Sequence, residues 1–245
     1  MELNTLLQYK PYSTARTEKR ALYAGLLTGL TQFHRERCPE YGRLLDALGC
    51  PDHMDCTVEN TPMLPVSLFK ELELRSIPEG EVFKTLTSSG TTGQRVSRIF
   101  LDGATSACQQ QALCQIMSDF LGERRLPFLV LDSREVLRNR AMFSARGAGI
   151  LGFSIFGTRP CYALDEHMEL DLDGVRAFLE EHQGETIFLF GFTFMIWKHV
   201  VRALEERGER LDIPNGILVH GGGWKKLAGE AVSPGEFKAR VAAGT

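Results

Sequence analysis

Short apolar runs alternate with helix-forming segments through the second half of the chain, and this alternation restricts the possible folds more than any other feature. Apolar runs bounded by turn-forming residues lie at residues 127–132, 186–190 and 216–219. Helix-forming segments lie between them, at residues 174–182 and 193–207. Parallel strands need a crossover connection, which is usually a helix. The sequence therefore predicts an α/β fold with a parallel or mixed sheet and crossover helices.

The front of the chain has a helical pattern instead. One helix is predicted from Ser13 or Thr14 to residue 37, and a second one starts at Pro39 and ends at Gly49. We expect a helical segment, residues 1–80, that packs on a main α/β domain formed by residues 81–245.

The middle of the chain has weaker signals. Residues 152–157 are predicted to form a strand, residues 144–149 a tight loop, and residues 191–192 a turn after a strand.

Asp132 ends an apolar run, and ligands bind at the carboxyl ends of strands in open α/β sheets. Alternatively, the Asp132 side chain caps the segment that follows it. The dispersed arginines nearby are predicted to form a solvated surface, with steering of a polyphosphate as the alternative; they are Arg134, Arg138, Arg140 and Arg146.

Composition excludes several classes of partner. The net charge is −3 and the pI is about 6.1, so no basic face for nucleic acid is indicated. The longest apolar run, residues 187–197, is shorter than the ~20 residues that span a bilayer. The first residues lack the pattern of a secretory signal. We expect a cytoplasmic protein with no membrane span.

A run of small and hydroxyl-bearing residues, residues 87–93, lies between two predicted strands at residues 82–86 and 96–101. Glycines let a ligand approach the backbone, and hydroxyls and free N–H groups together can bind an anion such as phosphate. Arg95 and Arg98 follow the run and can add positive charge. A solvated hairpin loop is the alternative, since the same residues make ordinary turns. A Walker A loop is excluded because no Gly-Lys-Ser/Thr is present.

The order Thr-Ser-Ser-Gly-Thr-Thr-Gly in this run resembles the phosphate loop of adenylate-forming enzymes. The flanking segments at residues 61–72 and 99–102 resemble the acyl-protein synthetase (LuxE-like) family. A third match is the Gly-Gly-Gly-Trp-Lys segment at residues 221–225, where this family has a glycine-rich turn at its nucleotide site. The resemblance extends over residues 35–230, most of the chain.

The resemblance implies ATP-dependent activation of a carboxylic acid as an acyl-adenylate, followed by transfer of the acyl group to a protein thiol. It implies ATP and Mg²⁺ as cofactors, a fatty acid as the expected substrate, and an acyl-reductase or acyl-carrier protein as a partner. The phosphate-binding residues that it implies are Ser88, Ser89, Gly90, Thr91, Thr92 and Gly93. Thr91, Thr92 and Arg98 are the implied catalytic residues. Adenine and ribose are assigned to Gly221, Gly222, Gly223 and Trp224, and the acyl pocket to Gly191, Phe192 and His220.

The chain departs from the family pattern in two ways. The lysine that most relatives carry after the loop is absent, and Arg98, or else Arg95, stands nearest to its place. The acidic Tyr/Phe-Gly-x-x-Glu segment and the small C-terminal domain do not follow Trp224. We therefore expect either a chain truncated before that domain or a shortened natural relative. An acyl- or aryl-CoA ligase and a non-catalytic subunit of an acyl-reductase complex remain alternatives.

The cysteines do not indicate a metal site or a disulfide framework. The chain has six of them and no Cys-x-x-Cys pair, so free thiols in a reducing compartment are expected. None of the six matches the position of the family's acyl-accepting cysteine, and no metal-ligand cluster is predicted.

Overall fold

The computed structural model describes residues 3–87, 95–138 and 145–245. The chain forms two compact units, Met1–Phe120 and Leu121–Thr245. The division predicted between residues 80 and 81 stays a prediction. The hydroxyl run from Ser88 to Gly93 lies outside the described residues.

The first unit contains the two predicted N-terminal helices, which are confirmed. The first one starts later than expected, after Ala15, which has no side-chain group that could cap it, and the Ser13 hydroxyl donates to the Lys10 carbonyl (2.7 Å). The Ser76 hydroxyl lies 2.7 Å from Nδ1 of His34 and ties this helix to a later segment of the unit. The helices are α1 (Arg16–Arg37), α2 (Pro39–Ala47), α3 (Leu68–Glu71) and α4 (Gly103–Leu121), with 3-10 helices at Leu3–Gln8 and Glu79–Glu81.

Strands β1 (Lys84–Thr87) and β2 (Arg98–Leu101) form an antiparallel hairpin in the first unit. Thr87 pairs with Arg98, and the residues that link the two strands, 88–97, include the hydroxyl run. Helix α4 follows β2 directly. Asp102 caps it, because its carboxylate accepts a hydrogen bond from the Thr105 N–H (2.6 Å), which lowers the pKa of Asp102.

The second unit contains the predicted parallel sheet. Its strands lie in the order β4-β3-β5-β6, and each neighbouring pair is parallel. The strands are β3 (Leu126–Ser133), β4 (Gly157–Leu164), β5 (Ile187–Phe192) and β6 (Gly216–Gly221). The connecting helices are α5 (Glu135–Arg138), α6 (Ala145–Phe153), α7 (Leu172–Glu181), α8 (Thr193–Met195), a π-helical segment (Ile196–Val201) and α9 (Arg202–Arg207). A 3-10 helix (Lys225–Glu230) and α10 (Pro234–Gly244) follow β6.

Three sequence-based assignments in this unit are wrong. Residues 152–157 are not a strand, since α6 extends through Phe153 and β4 begins only at Gly157. Residues 145–149 are helical rather than a loop. The reason is packing against β5: Gly149 and Phe153, one helical turn apart, face the same rings, and Phe153 stacks on Phe190 with centroids 4.5 Å apart. Residues 191–192 end β5 rather than turn.

The strand order places a topological switch point between β3 and β5. From β3 the chain leads outward to β4, whereas from β5 it leads to β6 on the opposite side. Ligands bind at the carboxyl ends of strands at such a point in open α/β sheets. Within the described ranges, none of the helices combines the length and the apolarity that spanning a bilayer requires.

Candidate functional site at the carboxyl edge of the sheet

A buried ion pair closes the carboxyl end of β3. The carboxylate of Asp132 is 1% exposed and accepts from Nε of Arg146 (2.8 Å), from Nη2 of Arg146 and from the N–H of Ser133 (2.7 Å). The prediction of a solvated surface is therefore wrong for Arg146. Asp132 does not cap α5, because the hydroxyl of Ser133 accepts from the Glu135 N–H instead (3.3 Å). Asp132 and Arg146 thus fix the position of α6 at the switch point.

A strained turn lies behind this pair. Met168 has a positive φ of 67°, which is unusual for a residue with a side chain, and its sulfur lies 4.0 Å from Nη2 of Arg146. Nδ1 of His199 donates to the Met168 carbonyl (2.8 Å). Burial lowers the pKa of His199 despite this hydrogen bond, which acts in the opposite direction. The turn is held by a neutral imidazole and a guanidinium.

The ends of β5 and β6 are joined through the hydroxyl of Thr193. Its Oγ1 lies 3.0 Å from Nδ1 of His220 and 3.1 Å from the carbonyl oxygens of both Gly221 and Gly222. Thr193 is the first residue after β5, and its packing leaves only 8% of it exposed. Thr193 is not predictable from the sequence as part of a site, because a threonine at a helix start has no distinguishing signal.

The fold requires glycine at one of the three positions after His220 but not at the other two. Gly222 has a φ of +77°, and a Cβ there would lie 2.8 Å from Cδ1 of Phe192. The fold itself therefore requires glycine at this position. At Gly221 and Gly223 a Cβ would meet nothing within 4 Å. Open space above these two residues leaves bare backbone on which a flat ligand can lie.

The residues predicted to line an acyl pocket lie at the same edge. A Cβ on Gly191 would come within 2.9 Å of the Leu131 Cβ and 3.0 Å of Ile196, so close strand packing explains this glycine. Phe192 contacts the turn at Gly222. Trp224 packs inward, with its ring centroid 5.4 Å from that of Trp197. The structure thus brings Phe192, His220 and the glycine turn together, whereas Trp224 joins the core.

The two arginines after the hydroxyl run have carboxylate partners within the first unit. Nη1 of Arg95 lies 3.3 Å from Glu71, and Nη2 of Arg98 lies 3.6 Å from Glu73. Both side chains of each pair are exposed, and exposed pairs of this kind contribute about 0–1 kcal/mol. Such pairs are weak enough for a phosphate ligand to replace the carboxylates.

The Cys161 thiol is not activated. Burial, with a smaller contribution from Asp171, raises the pKa of the Cys161 thiol to about 11, so it stays protonated at neutral pH. Cys38 and Cys56 are buried. In the described part of the chain, no group of three His, Cys, Asp or Glu residues is arranged to hold a metal ion.

We expect the second unit to lose stability as the pH falls from 7 towards 5. Burial lowers the pKa values of His199 and His220 below the reference value of 6.5. Below that value the unfolded chain binds protons that the folded chain does not, so the free energy of unfolding falls as the pH drops. Both tryptophans, Trp197 and Trp224, lie in this unit, so urea unfolding followed by tryptophan fluorescence measures it. Asparagine at His199 keeps a donor for the Met168 carbonyl and should flatten the pH dependence; an unchanged slope would contradict the expectation.

The chain is similar to a known protein family and to a curated relative. The family model for acyl-protein synthetase, LuxE, matches residues 2–244. A long-chain-fatty-acid–luciferin-component ligase of Vibrio harveyi is 22% identical over 233 residues, which are 93% of this chain and 59% of that protein. The chain therefore spans about three-fifths of the length of this curated relative.

A solved structure shares the fold. It is a 2-hydroxyisobutyryl-CoA ligase in complex with 2-HIB-AMP and CoA, in the thioesterification state. The TM-score is 0.58 with 16% sequence identity, over 85% of this chain and 44% of that one. The predicted fold class, an α/β fold with a parallel sheet and crossover helices, is confirmed.

Proposed function

The chain belongs to the acyl-protein synthetase (LuxE) family, and we propose that it acts in ATP-dependent activation of a carboxylic acid and in transfer of the acyl group to a protein thiol. The observation that carries the proposal is the bare backbone at Gly221 and Gly223, at the carboxyl edge of a parallel sheet. A side chain at either position would fill the space that a nucleoside needs. The family match over nearly the whole chain supports the same reading.

In this proposal the turn binds adenine and ribose, and the hydroxyl run binds phosphates. Gly221, Gly222 and Gly223 supply backbone against the nucleoside, and Trp224 supports the turn from the core side. The phosphate oxygens accept hydrogen bonds from Ser88, Ser89, Thr91 and Thr92 and from the backbone N–H groups of Gly90 and Gly93. Arg98, and then Arg95, supply positive charge after release from their carboxylates.

The chemistry joins two anions, so the residues must position and neutralise them. A carboxylate oxygen of the acid attacks the α-phosphorus of ATP, and pyrophosphate leaves. Correct positioning alone can lower such a barrier by roughly 7–11 kcal/mol. Mg²⁺ bound to the triphosphate would neutralise part of its charge, and we assign no residue of this chain to it.

The acid is proposed to lie against Gly191, Phe192 and His220. Phe192 closes the apolar side of this edge, and the rings of Phe190 and Phe153 continue it along α6. Apolar rings suit a hydrocarbon chain, and the relative in Vibrio harveyi is named for long-chain fatty acids. We therefore propose a fatty acid as the substrate. All six cysteines are free, which fits a reducing compartment, and we place the reaction in the cytoplasm.

A CoA thiol is the alternative acceptor, since the solved ligase with this fold was captured with CoA. The two acceptors are chemically equivalent at the reacting sulfur. They differ in the product, which is either an acylated protein, such as an acyl-carrier or acyl-reductase partner, or free acyl-CoA.

Carboxylate-dependent exchange of labelled pyrophosphate into ATP tests the proposal. The full-length protein is assayed with fatty acids of increasing length and with aryl acids, and exchange with one class establishes activation and identifies the substrate class. Addition of CoA or of a candidate acceptor protein then shows which thiol is acylated. A folded protein that supports no exchange with any acid would favour a non-catalytic subunit instead.

The glycine turn gives a second test, because its residues are required for different reasons. Alanine at Gly221 or Gly223 should weaken ATP binding at least about tenfold by filling the bare backbone, with little change in stability. Alanine at Gly222 should lower the free energy of unfolding by about 1–3 kcal/mol through positive φ and contact with Phe192. Calorimetric titration with ATP and fluorescence-detected unfolding measure the two effects. Unchanged ATP affinity in both outer variants would contradict the assignment of the turn.

A further inference from the structure

His220 occupies the last position but one of β6, directly before the glycine turn. His220 is an exposed residue, and its ring lies near that of Phe237, with centroids 4.8 Å apart. Nδ1 points inward to the hydroxyl of Thr193 (3.0 Å). The other ring nitrogen, Nε2, is on the opposite side of the imidazole. This arrangement engages Nδ1 in a hydrogen bond and leaves Nε2 as the nitrogen that can accept a proton.

The hydrogen-bond network assigns the tautomer. The Thr193 hydroxyl has one hydrogen, and the carbonyl oxygens of Gly221 and Gly222, both 3.1 Å away, can only accept. The hydroxyl therefore donates towards these carbonyls, and its oxygen accepts the N–H of His220. The opposite assignment would leave both carbonyls without this donor. The neutral ring thus carries its proton on Nδ1 and a lone pair on Nε2.

The surroundings keep the imidazole neutral at physiological pH. Partial burial lowers the pKa of His220, and the positive charge of Lys238 on α10 lowers it further. Thr193, on α8, is uncharged. Among the described residues, Lys238 is the ionisable group whose charge acts on this ring. A neutral ring with a free lone pair is a base, and a neighbouring ammonium stabilises an anion formed beside it.

We propose that Nε2 of His220 is the base that removes the proton from the acyl-accepting thiol, and that Thr193 is the positioning residue that holds the ring in the required tautomer. The inference rests on the proposed function, which places the activated acyl group at this edge of the sheet. The family assignment does not single out this base. It follows from the Thr193 network and from the position of His220 beside the bare backbone.

The step is balanced without any further reactant. The S–H bond of the acceptor breaks, and its proton moves to Nε2. The sulfur forms a bond to the carbonyl carbon of the acyl-adenylate. The bond between that carbon and the phosphate oxygen breaks, its electron pair leaves with AMP, and the imidazolium returns its proton to water. No atom is oxidised or reduced.

The experiment separates the two half-reactions in the full-length protein. Pyrophosphate exchange measures activation, which needs no thiol. Transfer is measured in a single turnover from pre-formed acyl-adenylate to the acceptor thiol that the exchange assay with CoA or acceptor protein identifies. His220→Gln also alters a side chain proposed to line the acid site, so exchange should fall to some extent, whereas transfer should slow by about 10²–10⁴-fold beyond the loss of exchange. His167→Gln, a change at an exposed histidine in the same unit, is the matched control and should leave both rates unchanged.

The pH profile and the tautomer distinguish a base from a merely structural residue. Wild-type transfer should rise with pH through the ionisation of His220, and the His220→Gln variant should lose that rise. In ¹⁵N-labelled protein, long-range proton–nitrogen spectra should show the Nδ1–H form. Thr193→Val should shift the ring towards the Nε2–H form and slow transfer, whereas Thr193→Ser should restore both.

Three results would overturn the inference. Equal loss of exchange and transfer in His220→Gln would mean that His220 only supports the turn, and unchanged transfer would mean that it has no part in the step. An Nε2–H tautomer in the wild type would refute the geometry directly. Absence of exchange in the wild type with every acid is a different outcome, since it refutes the proposed function and the inference with it.

Discussion

Alanine at both Thr91 and Thr92 is expected to reduce carboxylate-dependent pyrophosphate exchange by about 10³-fold or more. Under the proposed function, each hydroxyl donates to a phosphate oxygen whose charge develops as pyrophosphate leaves. Removing a single such donor at a catalytic site costs about 10²–10³-fold in rate. Two donors on the same phosphate group should therefore bring the rate close to background. Initial rates of label incorporation at saturating acid measure the effect.

The matched control is Thr85→Ala. Thr85 is exposed on β1, in the strand that leads into the hydroxyl run, and its side chain belongs to none of the proposed contacts. This variant should keep wild-type exchange. Full exchange in the double variant would show that residues 88–93 are an ordinary solvated loop, which is the alternative that composition alone leaves open.

Alanine at Asp132 is expected to lower the free energy of unfolding of the second unit by about 3 kcal/mol, the lower end of the range for a broken buried pair. The change leaves the guanidinium of Arg146 without its carboxylate and the Ser133 N–H without its acceptor. The Arg146 side chain keeps 22% exposure, which lets water compensate part of the loss. Urea unfolding followed by tryptophan fluorescence reports on this unit, because both Trp197 and Trp224 lie in it.

A double variant, Asp132→Leu with Arg146→Met, is the control for this result. It removes both charges and keeps apolar volume, so it should be more stable than Asp132→Ala, as is found when a whole buried pair is replaced. Asp132→Asn should fall between wild type and Asp132→Ala, since one oxygen can still accept. Equal stability of wild type and Asp132→Ala would mean that Arg146 reaches solvent easily and that the pair does not fix α6.

The position of a strand or helix was predictable where the pattern is local. The apolar runs of β3 and β5 are predictable because strands buried in a parallel sheet are continuous apolar segments between breakers, and the shorter apolar run of β6, a partly exposed edge strand, has the same form. The cap of α4 at Asp102 is local in the same sense, since its partner, the Thr105 N–H, is three residues away. Such features depend on neighbours within one turn or one strand.

Helix α6 was not predictable from its own residues. A segment with Gly147, Gly149 and Gly152 has low intrinsic helix propensity, and the aromatic Phe153 at its end is typical of a strand. The helix forms because glycine at position 149 lets α6 approach the rings of Phe190 and Phe192, where a Cβ would lie 3.1 Å from each. Those rings are some 40 residues away along the chain, so no local window contains the reason.

The candidate site divides in the same way. The hydroxyl run, the glycine turn and their order are evident from the sequence, because these are contiguous residues of recognisable chemistry. The tertiary structure pairs Asp132 with Arg146, 14 residues away, and brings Thr193 to His220, 27 residues away. It also decided which glycine the fold requires, since Phe192 lies against Gly222 and leaves Gly221 and Gly223 open. Parallel strands bring their carboxyl ends together from distant parts of the chain, and contacts made there depend on strand order and register, which no single segment specifies.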